Sequence, residues 1–132
     1  MNDSDRLVAA ARAARDRAIA TYSHFKVGAA VLTRAGTIYT GCNVENASYG
    51  LTMCAERVAL FKALSEGDRE FAAIAVVADT ASPTPPCGPC RQLLWEFCGD
   101  VPVILATLTR VVAECPLKDL LPLPFDGRLL TG

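Results

Sequence analysis

Phe71 to Ala78 is apolar at all eight positions, and a run of that length without alternation predicts a strand covered on both faces. Near the start of the chain the period changes. Leu7, Ala10, Ala11, Ala14 and Ala18 recur at three- and four-residue spacing, with Arg12, Arg15 and Asp16 off that face. This predicts a helix capped by Ser4 and Asp5 and running to about Ala20. Lys26 to Leu32 reads as a strand, Arg34-Ala35-Gly36 as a tight turn, and Thr37 to Val44 as the hairpin partner. A polar loop containing Gly50 spans Glu45 to Thr52. A helix from about Met53 to Leu64 follows and stops at Ser65-Glu66-Gly67-Asp68. The proline-rich stretch at 83–86 opens a further helix, from about Cys87 to Phe97. Val101 to Leu105 and Val111 to Glu114 read as strands, and Pro116 to Leu121 as a helical turn or two. Strands that alternate with helices in this way predict an α/β or mixed three-layer domain, one sheet with helices on both sides. With no repeat, linker or low-complexity tract, residues 1–132 read as one domain.

Composition narrows the partners. An apolar fraction of 52% against 20% charged is rich for so small a chain, and points to a subunit interface as well as a core. A net charge of -1 lacks the basic footprint of a nucleic-acid binder, so a base handled by this chain is expected as a small molecule. No stretch approaches the ~18 apolar residues of a membrane span. Residues Met1 to Ala20 have no unbroken apolar region, and Asp3, Asp5 and Asp16 argue against a transit peptide. The chain therefore reads as cytoplasmic. Its six cysteines are expected reduced there, and more suited to metal or catalysis than to disulfides.

Two clusters carry the chemistry. Cys54 stands two residues before Glu56, and Cys87-Gly88-Pro89-Cys90 follows about thirty residues later. Three cysteines so placed can hold one zinc ion and leave its fourth position to water. Glu56 is close enough to move protons to and from that water without touching the metal, which completes a hydrolytic site. Both clusters fall at expected helix N-termini, where free amides and the helix dipole favour thiolate. Three thiolates on a zinc dication still leave a net charge of about -1. Arg57 is the obvious cation to offset it, since a cation in a helix's first turn otherwise opposes the dipole.

Other classes claim the same residues. Cys-Gly-Pro-Cys between a strand and a helix is also the thioredoxin frame. The 42 residues after Cys90 are too few for the rest of that fold, prolines precede the first cysteine, and Cys54 and Glu56 go unexplained. A structural zinc site would need a fourth protein ligand, with His24, Cys42, Cys98 and Cys115 as candidates. Cys42 is the foremost, ending a strand beside the loop to Cys54, although a small buried hydrophobe explains it as well.

The order of metal ligands and acid matches the three-cysteine form of the zinc nucleobase deaminases. More widely, the chain resembles the small homotetrameric cytidine deaminases over nearly its whole length. The resemblance rests on Tyr22-Ser23-His24-Phe25-Lys26-Val27-Gly28-Ala29-Ala30, Gly41-Cys42-Asn43-Val44-Glu45-Asn46-Ala47-Ser48-Tyr49, Cys54-Ala55-Glu56-Arg57, Pro86-Cys87-Gly88-Pro89-Cys90-Arg91-Gln92 and Leu120-Leu121-Pro122-Leu123-Pro124-Phe125. It implies a three-layer α-β-α sandwich around a five-stranded mixed sheet. It implies one zinc per subunit on Cys54, Cys87 and Cys90, and Glu56 as the proton shuttle. Phe25 would pack on the pyrimidine, and Asn43 and Glu45 would bond the ribose 3′-hydroxyl. The Ala55 backbone and the Pro86 carbonyl would read the base edge. Ala47, Tyr49 and Phe125 would reach a neighbouring subunit's site in a homotetramer. The implied reaction is hydrolysis of cytidine and 2′-deoxycytidine to uridine and 2′-deoxyuridine with release of ammonia, in pyrimidine salvage. The relative that deaminates blasticidin lacks Asn-Val-Glu-Asn-Ala, so a nucleoside is the expected substrate. A Glu45 carboxylate at the sugar with no basic cluster nearby disfavours a nucleotide. His24 and Lys26 differ from many relatives, which touches the backbone around Phe25 rather than its ring.

Overall fold

Successive residues of the two central strands serve two different cores. In the computed structural model, which describes residues 2–131, β1 (Val27–Thr33) and β2 (Ile38–Cys42) form the expected hairpin, and β3 (Phe71–Ala78) follows. Val27, Ala29 and Val31 of β1 face one cluster with Ile74, Val76 and Ala78 of β3. Ala30 and Leu32 face the other with Ala75 and Val77. That is the period-2 geometry of a strand buried on both sides. The first cluster is closed by α2 (Ala55–Ser65) and α3 (Gly88–Cys98), through Ala55, Ala59, Leu60, Ala63 and Leu94. The second is closed by α1 (Asp3–Arg15), through Leu7, Val8 and Ala11. Leu7 and Leu60 are fully buried on opposite sides of the sheet, and each burial is worth about 1.5–3 kcal/mol.

β4 (Pro102–Ala106) and β5 (Val111–Pro116) complete a five-stranded sheet of order β2-β1-β3-β4-β5. Only β3 and β4 run parallel; the other pairs are antiparallel. The expected three-layer mixed sheet is therefore observed. A 3-10 turn at Leu117–Asp119 stands where Pro116 to Leu121 suggested helix, and a short α4 (Arg128–Thr131), not anticipated, lies near the end.

The first helix departs from expectation at both ends. Its cap is Asn2, whose side chain accepts from the Asp5 amide at 2.8 Å while the Asp5 carboxylate accepts from the Asn2 amide at 3.3 Å. It ends at Arg15 rather than near Ala20. The bonds tighten there to three-residue spacing, from Asp16 to Ala13, Arg17 to Ala14 and Ala18 to Arg15. Ile19 then pairs with the Val44 segment, donating to the Asn43 carbonyl at 2.9 Å and accepting from the Glu45 amide at 2.8 Å. A long-range bridge thus overrides the helical spacing of Ala18.

Two strand glycines set how closely the helices approach. A Cβ on Gly28 would stand 2.0 Å from the Ala11 carbonyl of α1. One on Gly41 would stand 2.5 Å from both the Ala55 carbonyl and the Ala59 amide of α2. Gly41 therefore seats the first turn of α2, which carries Glu56, directly on β2.

Candidate active site

Cys54 is the N-cap of α2 and Cys87 the N-cap of α3, both with extended backbone, and neither side chain caps its own helix. The two thiols turn toward each other instead, with sulfurs 3.6 Å apart. Cys90, in the first turn of α3 and fully buried, lies 3.0 Å from the Cys87 sulfur. All three sulfurs fall within 4.8 Å of one another. Thiolates bound to one zinc at about 2.3 Å sit roughly 3.8 Å apart around a tetrahedron, so the donor set and its spacing both fit that ion. Among the described residues no other His, Cys, Asp or Glu joins this group. His24, Cys42, Cys98 and Cys115 are thus not assembled as a fourth ligand, and burial pushes the Cys98 thiol up to about 12. The site has three protein donors, the open form rather than the closed one.

Electrostatics favour the thiolate form at Cys54. The Cys90 thiol and then the Arg57 guanidinium hold the Cys54 thiol down at about 5, against the opposing effect of burial. Arg57 Nη2 donates to the Cys54 sulfur at 3.3 Å, and that bond raises the guanidinium's own pKa. Cys90 is driven the other way, first by donating to Cys54 and then by burial. Glu56, 5% exposed, has its carboxyl raised by burial and, more weakly, by the charge on Cys54. It is a buried carboxyl beside the thiol cluster and does not join the group of metal donors.

A cavity of about 200 Å³ opens on this cluster and is lined by Phe25, Asn43, Cys54, Ala55, Glu56 and Cys87 among others. Asn43 is buried and half committed. Its Oδ1 accepts from the Val27 amide and its Nδ2 donates to the Phe25 carbonyl, both at 2.8 Å. It thereby fixes the backbone on either side of Lys26 and presents Phe25 to the cavity. Glu45 does not line the cavity. One of its carboxylate oxygens accepts from the Tyr22 and Ser23 amides at 3.0 Å each, and the other from the Ser23 hydroxyl. The Ser23 hydroxyl is the main cause of the carboxyl's lowered pKa. Pro86 is buried with its carbonyl accepting from Arg91 Nε at 2.7 Å, and Thr84 and Pro85 form the neighbouring wall.

The remaining expected residues lie outside the cavity. Ala47 is exposed, and Tyr49 is 65% exposed with φ at 44°, its ring edge-on to Tyr22 with centroids 5.5 Å apart. Phe125 is 56% exposed, with its carbonyl held by Gln92 Nε2. Sequence reasoning missed the seating role of Gly41 and the clamp that Ser23 places on Glu45. A glycine inside a strand was a usable signal for the first. The second is a contact across 22 residues with no local signature.

Residues 1–107 match the family model described as the cytidine and deoxycytidylate deaminase zinc-binding region. The chain belongs to the cytidine and deoxycytidylate deaminase family, a family of zinc hydrolases acting on C–N bonds. It is 52% identical over 125 residues to the cytidine deaminase of Sporosarcina psychrophila, covering 94% of this chain and 92% of that one. It is also 52% identical over 126 residues to the cytidine deaminase of Halalkalibacterium halodurans, covering 95% and 96%. The crystal structure of cytidine deaminase from Burkholderia pseudomallei superposes with a TM-score of 0.90 at 51% identity, over 95% of this chain and all of that chain. Zinc is the cofactor that this family region and the three-cysteine group define.

Proposed function

We propose that the chain, working as one domain over residues 1–132, hydrolyses the 4-amino group of cytidine and 2′-deoxycytidine. Ammonia is released, uridine or 2′-deoxyuridine is formed, and the step serves pyrimidine salvage. The observation that carries this reading is the buried Glu56 carboxyl lining one cavity with Phe25, Cys54 and Cys87, the two thiols being clustered with the buried Cys90. Cys54, Cys87 and Cys90 would hold the zinc, which when bound supplies a Lewis acid that makes water acidic near neutral pH. Glu56 takes the proton from the attacking water and delivers it to ring N3. It then carries the proton of the hydroxyl added at C4 to the amino group, so that the C4 carbonyl forms as the C–N bond breaks and ammonia leaves. Burial, which favours its neutral form, equips the carboxyl for that exchange. Arg57 offsets the thiolate charge.

Phe25 packs on the pyrimidine, and the Ala55 backbone together with the free lone pair of the Pro86 carbonyl reads the base edge. Asn43 keeps one N–H and one lone pair beyond its bonds to Phe25 and Val27, enough to take the 3′-hydroxyl. Glu45 has three acceptor positions occupied by Tyr22 and Ser23, which leaves about one of four for the sugar. The cavity, at about 200 Å³, is smaller than the roughly 300–1,000 Å³ usual for small-molecule pockets. Ala47, Tyr49 and Phe125 of a neighbouring copy would complete it, in a homotetramer with one zinc per subunit. A cytoplasmic location suits a site that needs reduced thiols, and all six cysteines are free.

Steady-state ammonia release from cytidine, deoxycytidine, their monophosphates and adenosine tests the substrate, and native mass spectrometry of the same sample tests the assembly. Turnover of the two nucleosides alone, by a tetramer, is expected. Preference for a monophosphate or for adenosine would refute the substrate assignment, and a fully active monomer would refute the shared site.

A further inference from the structure

Arg91 stands one residue beyond Cys90, and none of the chemistry above uses it. Its amide donates to the Cys87 carbonyl at 2.9 Å, a first-turn bond of α3. Its side chain turns back, and Nε donates to the Pro86 carbonyl at 2.7 Å. The peptide planes on both sides of the Cys87 Cα are therefore bonded to a single residue. Since φ and ψ are the only soft torsions between those planes, fixing both planes fixes the direction of the Cys87 Cα–Cβ bond, and the sulfur is left with only the staggered positions of χ1. Cys87 is the thiol that most requires this. Cys90 is buried and Cys54 half-buried, whereas Cys87 is exposed and packing does not hold it.

The same guanidinium also reaches the opposite way, with Nη1 donating to the Leu120 carbonyl at 2.9 Å. Leu120 begins a segment that lies along α3 on two further bonds, Gln92 Nε2 to the Phe125 carbonyl and Trp95 Nε1 to Asp126 Oδ2 at 3.2 Å. The helix that presents two of the three thiols is thus also the dock for the C-terminal segment, and Arg91 bonds to both.

We propose that Arg91 is a positioning residue that aims the Cys87 thiol at the metal and, through Leu120, ties that ligand to the docked segment carrying Phe125. This rests on Cys87 being a zinc ligand. A guanidinium suits the task because it is planar and can donate to two carbonyls in different directions at once, which a lysine's compact ammonium reproduces poorly. Groups that orient a metal's ligands typically cost about 10–100-fold in metal affinity when removed.

The test is the rate at which zinc passes to an excess of chromophoric chelator, with emission from Trp95, the only tryptophan in the chain, recorded in the same sample. Arg91→Met and Arg91→Lys are each expected to release zinc about 10–100-fold faster than wild type and to shift the Trp95 emission. Gln92→Ala removes a bond to the segment without touching Pro86 or Leu120, and should shift the emission while leaving zinc release unchanged. Release from Arg91→Met at the wild-type rate would overturn the proposal, as would full rescue by lysine, which would make charge alone sufficient. Release from Gln92→Ala as fast as from Arg91→Met would also overturn it, and so would failure of both Arg91 variants to fold, which would make the residue a determinant of the fold. A wild-type protein that takes up no zinc would instead overturn the ligand assignment, and the role of Arg91 with it.

Discussion

Replacing Arg57 with glutamine removes the cation bonded to Cys54 and leaves a shorter, neutral polar side chain. At the observed 3.3 Å and an effective dielectric near 20, the charge pair is worth about 5 kcal/mol before hydration is counted. The guanidinium is only half-buried, so water screens the pair and removing its own hydration costs part of the gain. What remains should match a hydrogen bond to a charged group, roughly 1.5–3 kcal/mol. That corresponds to a loss of about tenfold to a hundredfold in zinc affinity at neutral pH. The direction with pH follows from the thiols. In the intact protein Cys54 is held down to about 5 from an ordinary 9, so at that sulfur protons compete with zinc only in acid. Without Arg57 the thiol pKa rises, protons compete earlier, and the zinc-retention curve moves to higher pH. The acid limb of the pH–rate profile should move with it. Zinc retained after equilibration with a chromophoric competitor, measured from acid to alkaline pH, gives the midpoint. Superimposable curves for Arg57→Gln and wild type, with the fold intact by circular dichroism, would mean that the helix N-termini alone stabilise the thiolates.

Cys54→Ala, Cys87→Ala and Cys90→Ala should each lower bound zinc in metal analysis, whereas Cys42→Ala, Cys98→Ala and Cys115→Ala should retain it. Loss of metal from Cys42→Ala would make the site closed and structural. Gly41→Ala forces α2 away from β2, because the added carbon would lie 2.5 Å from backbone atoms of Ala55 and Ala59. A stability loss of about 1–3 kcal/mol and reduced activity are expected, since Glu56 moves with that turn. Unchanged melting and kcat would show that the close approach has no role in seating the site.

The parts of this site legible in the sequence are those whose partners lie close along the chain. Cys54 and Glu56 are two residues apart, Cys87 and Cys90 three, and Arg57 reaches Cys54 within one helical turn. The unbroken apolar run of β3 announced a strand buried on both faces, which is what it is. What escaped depends on distant partners. Ala18 keeps helical spacing, yet the Ile19 bridge to Val44 ends the helix first. Asn43 and Glu45 look like free loop polar groups but are bonded to residues 16 to 23 positions earlier, so each supports the backbone around Phe25. The Arg91 bond to Leu120 spans 29 residues and has no sequence signal beyond the arginine itself.

Glu56→Gln tests the central claim most directly, because the amide is nearly isosteric with the carboxyl and leaves Cys54, Cys87 and Cys90 untouched. The measurement is kcat for ammonia release from cytidine alongside zinc content in the same preparation. A proton carrier at this position predicts full zinc content, an unchanged fold and a kcat lowered by at least the ~10²–10⁴ typical of a general acid–base group. A zinc-loaded Glu56→Gln protein that keeps most of its kcat would contradict the account.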